Sequence, residues 1–341
     1  MSELRKDPIT NSWIIIASER SKRPFDHNQL ENSAAAEPVK CPFCVGSENM
    51  TPNEIFSYRP PDDKTKWWVR GFPALSPILK IEGELDQRGF GIYDTVNGIG
   101  AHEIIVESPK HGEDFSEMDT NQIEKVFWAY RDRIIDLKRD KRFRYIMIFK
   151  NHGPQSGASN IKHPHSQVIA LPATPKKIKE ELDGAKFHYG LKERCIFCDV
   201  ISQEIQIDER IIMKTEHFAV LAPWAPRFPY ETWILPLKHS HDFTSISKEQ
   251  IIDLSFVYKK FFKALYKVLG EDISYNMILH DAPNLLRREG YWKTIEDDFH
   301  WHIEVIPRVT RIAGFEWGTG FYINSIPPEH AAKEMKKIIY Q

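Results

Sequence analysis

The chain repeats itself, and this internal duplication constrains its fold more than any other feature. Four short landmarks occur twice in the same order. They are Cys41–Cys44 with Cys195–Cys198, Pro109–Phe115 with Pro236–Phe243, Tyr145–Ile148 with Tyr275–Ile278, and His163–His165 with His300–His302. Chance supplies one such match easily, but four in order indicate a duplicated structural unit. We therefore expect two domains of similar fold, residues 1–175 and 190–341, joined by a linker at 172–192.

Between the second and third landmarks, each copy carries the pattern of one long helix. Apolar residues recur at helical spacing after the N-cap residues Asp119 and Ser247. Ser247 and Gln250 form a capping-box pair, and Gly270 ends the second helix. The predicted strands are Glu103–Glu107, Tyr145–Phe149, Gln167–Leu171, Thr232–Leu235 and His302–Ile306. The expected fold class is α+β, in which each half is a mostly antiparallel sheet with one long helix.

Composition and charge exclude several classes of protein. Of the 341 residues, 41% are hydrophobic and 28% are charged, so the chain can bury a core and is not disordered. A net charge of -2 provides no basic field for a nucleic-acid backbone. No apolar run approaches the ~18 residues of a membrane span, and the first residues lack the apolar core of a signal peptide. We expect a soluble, cytoplasmic protein that binds neither nucleic acid nor membrane.

The four cysteines form two C-x-x-C pairs, and metal binding is the best explanation for them. Without a secretion signal, disulfides are disfavoured, and no βαβ pattern of a redox pair surrounds them. The expected ligand sets are Cys41, Cys44, His111 and His163 in the first half, and Cys195, Cys198, His239 and His300 in the second. We prefer His239 to His241 because His239 follows Pro-Leu-Lys as His111 follows Pro-Lys. Two thiolates and two imidazoles suit a closed, structural zinc site, so we expect two zinc ions per chain, with iron left open at the second site.

The segment that ends at Gln167 carries the pattern of a nucleophile. His163–Gln167 enters a strand, so His165 and Gln167 face the same side as the metal ligand. Just upstream, Asn151–Asn160 is rich in small residues whose N–H groups can approach an anion closely. A neutral imidazole beside such a cradle can attack phosphorus and form an intermediate that a second acceptor opens.

The second half keeps a histidine at the corresponding place but changes its surroundings. His302 is followed by Glu304 instead of glutamine, and the segment from 280 to 298 has a single glycine. We therefore interpret His302 as structural or as an additional metal neighbour.

The motifs around His163–Gln167 resemble galactose-1-phosphate uridylyltransferase, a branch of the histidine-triad superfamily with a duplicated half-barrel domain. The resemblance extends from residues 18–24 to residues 314–316. It implies that His165 carries the nucleotidyl group and that Gln167 steadies the phosphoryl oxygens. It also implies phosphate contacts from Arg20, Arg23, Asn151, Gly157, Ala158 and Ser159, a base or ribose contact from Phe72, and hexose contacts from Arg311, Ile312, Phe315 and Glu316, the hexose being shared across a homodimer.

Three positions depart from the family pattern. Ser166 stands where the best-known members have glycine, and Arg70–Gly71 replaces an Asn-Asp pair before Phe72. Tyr322 replaces an expected glutamine, with Asn324 nearby. The serine is shared with relatives that look like ADP-glucose phosphorylases, which move an adenylyl group.

The sequence thus predicts a transferase that takes a nucleotide sugar and a hexose 1-phosphate in turn at one site. The preferred reaction is exchange of a uridylyl group between UDP-glucose and galactose 1-phosphate through a nucleotidyl-histidine intermediate. One alternative is an ADP-glucose phosphorylase-type adenylyltransferase with phosphate as acceptor. The other is a zinc-binding module without activity.

Overall fold

A computed structural model describes residues 3–6, 13–16, 40–158, 161–285 and 292–341. The strands are β1 (Glu3–Lys6), β2 (Trp13–Ile16), β3 (Phe56–Tyr58), β4 (Val69–Pro73), β5 (Arg88–Phe90), β6 (Tyr93–Asn97), β7 (Ala101–Val106), β8 (Tyr145–His152), β9 (His165–Leu171), β10 (Ile211–Lys214), β11 (Phe218–Leu221), β12 (Thr232–Pro236), β13 (Tyr275–His280) and β14 (His302–Pro307). The helices are α1 (Thr120–Leu137), α2 (Lys176–Lys192), α3 (Ile196–Ile207), α4 (Lys248–Leu269), α5 (Ile295–Asp298), α6 (Gly314–Thr319) and α7 (Pro328–Ile339).

One sheet of ten strands runs through both halves, in the order β10-β11-β12-β14-β13-β8-β9-β7-β4-β3. Its centre is an antiparallel pair of β8 from the first half and β13 from the second, with Asn151 opposite Asn276. A separate four-stranded sheet has the order β2-β1-β6-β5. The α+β class with a mostly antiparallel sheet is confirmed, but the two halves share a single sheet.

The duplication is visible in the order of elements, because β7-α1-β8-β9 in the first half recurs as β12-α4-β13-β14 in the second. Register defines the equivalent residues. Gln167 lies opposite Phe149, and its counterpart Glu304 lies opposite Ile278. The sequence match of Tyr145 with Tyr275 is therefore one residue out of register, and a shift of one residue moves every side chain to the other face.

The two faces of the large sheet have different roles. Helices α1 and α4 cover one face, where Phe127 and Tyr258 meet with ring centroids 4.7 Å apart in a core that includes residues of both halves. Phe149 is paired with Gln167, and Asn151 lies two residues beyond Phe149 on the same strand, so these three side chains share one face. That face is the one opposite to α1 and α4. This opposite face carries the polar side chains of the candidate site.

Local signals explain most helix ends. The Asp119 side chain accepts from the N–H of Asn121, and the Ser247–Gln250 capping box is present as predicted. Gly270 follows α4 with φ of 95°, a conformation that favours glycine. The five predicted strands are confirmed to within three residues at each end.

The predicted linker at 172–192 is largely helical. Most of it forms α2, which buries Ile178, Leu182 and Ala185 against the second half. Its lysines and glutamates lie largely on the exposed side of a helix, so a charged composition concealed a short apolar stripe. No described helix combines the length and the apolar character needed to cross a membrane.

Candidate active site and metal centres

The first predicted ligand set comes together at one end of β9. The ligand atoms of Cys41, Cys44, His111 and His163 all lie within 4.8 Å of one another. Cys44 Sγ is 3.4 Å from His111 Nδ1 and 3.6 Å from His163 Nδ1. Tetrahedral zinc bonded to sulfur and nitrogen at ordinary lengths would separate such atoms by about 3.6 Å. The geometry therefore fits a four-coordinate metal.

The backbone also sets the tautomer that a metal requires. His163 Nε2 lies 2.7 Å from the carbonyl oxygen of Ser108, which can only accept, so Nε2 carries the proton. The Nδ1 lone pair then faces the two thiols, as in metal sites whose histidines donate to a carbonyl. Burial lowers the pKa of His163 to about 4, which keeps the imidazole neutral.

The second ligand set, Cys195, Cys198, His239 and His300, is built in the same way. Cys198 Sγ is 3.4 Å from His239 Nδ1 and 3.6 Å from His300 Nδ1. Nε2 of His239 donates to the Glu296 carbonyl at 2.9 Å, and Nε2 of His300 donates to that of Pro236 at 2.9 Å. The structure thus places His239, not His241, with the thiols.

His165 is buried beside the first cluster, with one nitrogen already occupied. Its Nδ1 donates to the carbonyl oxygen of His163 at 2.8 Å, so the lone pair is on Nε2. Phe43, from the C-x-x-C turn, packs edge-on against the imidazole with centroids 5.2 Å apart. Burial lowers the pKa of His165 and favours the neutral, nucleophilic form.

The predicted cradle forms where β8 ends. Gly153 has φ of 77°, and a Cβ there would lie 2.3 Å from Ser274 Oγ, so only glycine fits. Gly157 has φ of 80° and open space around it. The cradle rests on the second half, because the N–H of Gln155 donates to Ser274 Oγ at 3.2 Å.

On the sheet face opposite to α1 and α4, two amide side chains accept hydrogen bonds through their oxygen atoms. Gln167 Oε1 lies 2.9 Å from His102 Nε2. Asn151 Oδ1 accepts from Asn276 Nδ2 at 2.7 Å. His102 lies in no sequence motif, and Asn276 lies in a repeated landmark that gave it no role, so only the register of β7 and β13 reveals their contacts with Gln167 and Asn151.

A buried polar network lies behind β9, on the helix-covered face of the sheet. The Tyr130 hydroxyl donates to Glu107 at 2.8 Å and lies 2.6 Å from Ser166 Oγ. Ser166 also donates to Glu107, and Lys150 forms an ion pair with the same carboxylate. Lys150 Nζ approaches the His165 carbonyl at 3.4 Å, so the network braces the backbone at His165.

In the second half, at the positions equivalent to Asn151 and His165, charged side chains form ion pairs with one another. Glu181 of α2 lies 3.0 Å from His280 Nδ1 and 3.4 Å from Nε2 of His302. Burial alone would lower the pKa of His280, but attraction to Glu181 and hydrogen bonds to Glu181 and Glu304 raise it to about 10. The atoms of Glu181, His280 and His302 also lie close enough together to share a metal ion.

The remaining predicted residues fall into three groups. Phe72 is fully buried, with its ring 5.5 Å from that of Phe43, and the Arg70 guanidinium covers it at 4.8 Å. Arg20, Arg23 and Ser159 lie outside the described residues. The predicted hexose contacts, Arg311, Ile312, Phe315 and Glu316, lie in and before α6, and among the described residues no hydrogen bond joins them to His165.

Comparison with known proteins gives two family matches. Residues 1–175 match the family described as "Galactose-1-phosphate uridyl transferase, N-terminal domain". Residues 113–341 match a domain of unknown function, DUF4921.

Full-length relatives are found as well. The chain is 35% identical over 339 residues to the ADP-glucose phosphorylase of Arabidopsis thaliana, covering 98% of this chain and 93% of that protein. It is 29% identical over 343 residues to the galactose-1-phosphate uridylyltransferase of Thermotoga maritima, covering 99% and 98%. A crystal structure of the Arabidopsis thaliana ADP-glucose phosphorylase with bound ADP-glucose matches with a TM-score of 0.77 and 32% identity, over 99% of each chain.

Proposed function

This chain belongs to the galactose-1-phosphate uridylyltransferase family, and from that membership we propose that it exchanges a uridylyl group between UDP-glucose and galactose 1-phosphate. The observation that carries the chemistry is the state of His165. Its Nδ1 is committed to a backbone carbonyl, so Nε2 holds the free lone pair. The chain is thus a nucleotidyltransferase that acts through a histidine.

The reaction takes two displacements at one phosphorus atom. In the first, His165 Nε2 attacks the α-phosphorus of the nucleotide sugar, and the bond from that phosphorus to the bridging oxygen breaks. Hexose 1-phosphate leaves with the electron pair. In the second, a phosphate oxygen of the incoming hexose 1-phosphate attacks the same phosphorus, and the imidazole leaves neutral again.

Most of the rate enhancement comes from donors held in place before the substrate arrives. We assign phosphate contacts to Gln167, Asn151, Gly157 and Ala158, to which the sequence adds Arg20, Arg23 and Ser159. Phe72 keeps its assignment to the base or ribose, which requires the nucleotide to reach a side chain that is buried in the free protein. We assign the hexose to Arg311, Ile312, Phe315 and Glu316.

Adenylyl transfer is the second candidate, and two observations favour it. The Arabidopsis thaliana relative at 35% identity is an ADP-glucose phosphorylase. Ser166, which replaces the glycine of the family pattern, donates to Glu107 and lies 2.6 Å from the Tyr130 hydroxyl. The serine is therefore part of a buried hydrogen-bond network in this chain. In this alternative, inorganic phosphate replaces hexose 1-phosphate as the acceptor in the second displacement.

Two further assignments concern metal and assembly. We propose one structural zinc ion in each Cys2His2 cluster, since both the sulfur–nitrogen spacings and the tautomers suit it. We also propose a homodimer, because Phe315, Trp317, Phe321 and Ile323 expose 55–75% of their surface in one segment. The domains 1–175 and 190–341 and a cytoplasmic location complete the proposal.

Covalent labelling tests the function directly. The protein is incubated separately with UDP-glucose and ADP-glucose, each labelled in the α-phosphate, and the bound label is counted after denaturation at alkaline pH, where a phosphoramidate survives. Labelling by UDP-glucose supports the uridylyl reaction, and labelling by ADP-glucose alone supports the alternative. A protein that neither sugar labels contradicts both.

A further inference from the structure

A chain of hydrogen bonds that begins at a backbone N–H group fixes the orientation of the Gln167 amide. The N–H of Ile78 can only donate, and it donates to His102 Nδ1 at 3.2 Å. His102 Nδ1 is therefore unprotonated, and Nε2 carries the proton of the neutral ring. Nε2–H then donates to Gln167 at 2.9 Å, which requires the oxygen of the amide at that position. The Gln167 NH2 group is left to point elsewhere.

Asn151 is oriented by a separate chain of the same kind. The carbonyl oxygen of Ser156 can only accept, and it accepts from the Asn276 side chain at 2.9 Å, so the donor there is Nδ2. The same Nδ2 lies 2.7 Å from Asn151. That contact must involve the Asn151 oxygen, which leaves its NH2 group free to donate.

Register places both freed NH2 groups on the face of the nucleophile. His102 lies opposite Ile169, the neighbour of Gln167 on the same face of β9, so His102 and Gln167 are diagonal partners within reach of long side chains. Asn276 lies directly opposite Asn151. Gln167 and His165 are two residues apart on β9 and share one face.

We propose that His102 and Asn276 are positioning residues that hold the amides of Gln167 and Asn151 with their NH2 groups toward the transferred phosphoryl group. The inference rests on the proposed function, since it names what fixes the donors of that site. An unrestrained amide can turn its oxygen toward an anion at little cost, which removes a donor and adds repulsion. Fixing both amides before binding avoids that loss when charge develops in the transition state.

The second half shows that this arrangement is specific to the reacting half. The residue equivalent to His102 is Glu231, and the equivalent of Gln167 is Glu304. Both carboxylates there contact Arg227. The same strand positions thus form an ion-pair cluster, with no amide to orient.

A double-mutant cycle separates positioning from a merely structural role. His102→Leu removes the donor, and we expect the single-turnover labelling rate at saturating nucleotide sugar to fall about tenfold, less than the loss of a whole donor. His102→Gln restores a donor near the position of Nε2 and should recover most of the rate. In a Gln167→Leu background, His102→Leu should change the rate less than about twofold, because the proposed effect of His102 runs through Gln167.

Asn276 is tested by the parallel cycle with Asn151. We expect Asn276→Ala to slow labelling about tenfold in the native background and less than about twofold beside Asn151→Ala. Losses that multiply in either double variant, with equal losses of melting temperature, would overturn the proposal in favour of a structural role.

A measurement independent of activity keeps this inference separate from the proposed function. In protein labelled with 15N-histidine, the NMR signals absent from His102→Leu identify the His102 ring, and their shifts report its tautomer. The proposal expects a protonated Nε2 and a bare Nδ1. A protonated Nδ1 would overturn it even in an active protein. If no nucleotide sugar labels the wild type, the proposed function fails, and the tautomer still decides the orientation of Gln167.

Discussion

The two halves of the molecule use one scaffold for opposite purposes. The first half places Asn151, His165 and Gln167 on the open face of the sheet, and the second half places His280, His302 and Glu304 at the equivalent positions. In each half, the phenylalanine of the C-x-x-C turn packs on the second histidine, with centroids 5.2 Å apart for Phe43 and 5.1 Å for Phe197. The scaffold is thus duplicated down to single contacts, and the polar groups on it have diverged.

The difference teaches what a duplicated site needs in order to react. In the first half, the amides are neutral donors, and Nε2 of His165 has a lone pair with no carboxylate assigned to it among the described contacts. In the second half, Glu181 lies 3.4 Å from Nε2 of His302, where a phosphoryl group would have to bind. A carboxylate there repels any phosphate. The second half instead supports the cradle of the first through Ser274 and Asn276.

The largest expected effect distinguishes His165 from its counterpart in the second half, His302. His165→Gly removes the proposed nucleophile and should lower nucleotidyl transfer at least a thousandfold, as loss of a nucleophile does. His302→Gly should leave turnover within about twofold and reduce stability, since it opens a cavity beside Phe197. The measurement is the exchange of labelled hexose 1-phosphate into nucleotide sugar.

Metal content provides the control for this pair. His165→Gly should keep its zinc, because the ligand of the cluster is His163. A preformed nucleoside phosphorimidazolide could enter the space left by the imidazole and restore the second displacement. An active His165→Gly protein, or an inactive one that has lost zinc, contradicts the assignment of the nucleophile.

The second-largest effect is expected when the equivalent residues Gln167 and Glu304 are each replaced by the residue type of the other half. Gln167→Glu places a negative charge near the phosphoryl group, and repulsion at contact distance costs about 4 kcal/mol at an effective dielectric of 20, or about a thousandfold in rate. Glu304→Gln should leave the rate unchanged but lower the melting temperature, because Arg227 and His280 lose a charged partner. Equal rates for Gln167→Glu and wild type near neutral pH would show that Gln167 does not face phosphate.

Removal of one metal at a time should have a smaller effect on the rate. Cys41→Ser and Cys195→Ser should each lower the zinc content from about two ions to about one and reduce stability, because a structural site contributes to folding. Cys41→Ser should also slow turnover roughly ten- to hundredfold, since Phe43 and His163 fix the nucleophile and small displacements are costly. Rates lowered equally in both variants would contradict the different roles of the two clusters.

Motif and repeat determine how much of this site the sequence predicts. The four ligands in each half, His165, the cradle glycines and the paired helices all follow from residue types at fixed local spacing. His102 and Asn276 do not, because their roles arise from strand register between segments far apart in the chain. The sequence alignment of Tyr145 with Tyr275 shows the limit, since apolar strands match almost equally well one residue out of register.

Two further features of the fold also depend on tertiary contacts that the sequence pattern does not specify. No helix was predicted within 172–192, because only three apolar side chains, Ile178, Leu182 and Ala185, dock α2, whose other faces are largely charged. The repeat predicts a sheet in each half but not how the two sheets join, which occurs through the pairing of β8 with β13. Pairing between strand edges is a tertiary choice that local patterns do not encode.

The smallest effect tests the layer behind the nucleophile strand, where the halves also differ. Ser166 is fully buried and donates to Glu107, with the Tyr130 hydroxyl 2.6 Å away, whereas its equivalent, Ile303, is packed in the apolar core. Ser166→Ala removes one hydrogen bond but leaves Tyr130 donating to Glu107, so it should lower the free energy of unfolding by about 1 kcal/mol. Ile303→Val removes one methyl group and should cost a similar amount, about 0.5–1.5 kcal/mol.

Because Ser166→Ala and Ile303→Val should cost similar stability, a difference in activity between them would reflect the strand in which each residue lies. Lys150 and Glu107 brace the backbone at His165, and Ser166 joins that brace to β9. We therefore expect Ser166→Ala to slow labelling a few-fold and Ile303→Val to leave it unchanged, as measured by single-turnover kinetics beside urea denaturation. If both variants lose activity in proportion to stability, the polar layer is only packing. If Ser166→Ala alone slows the first displacement, that layer holds the nucleophile in position, which explains why a polar side chain is buried behind the reacting half and an apolar one behind the other.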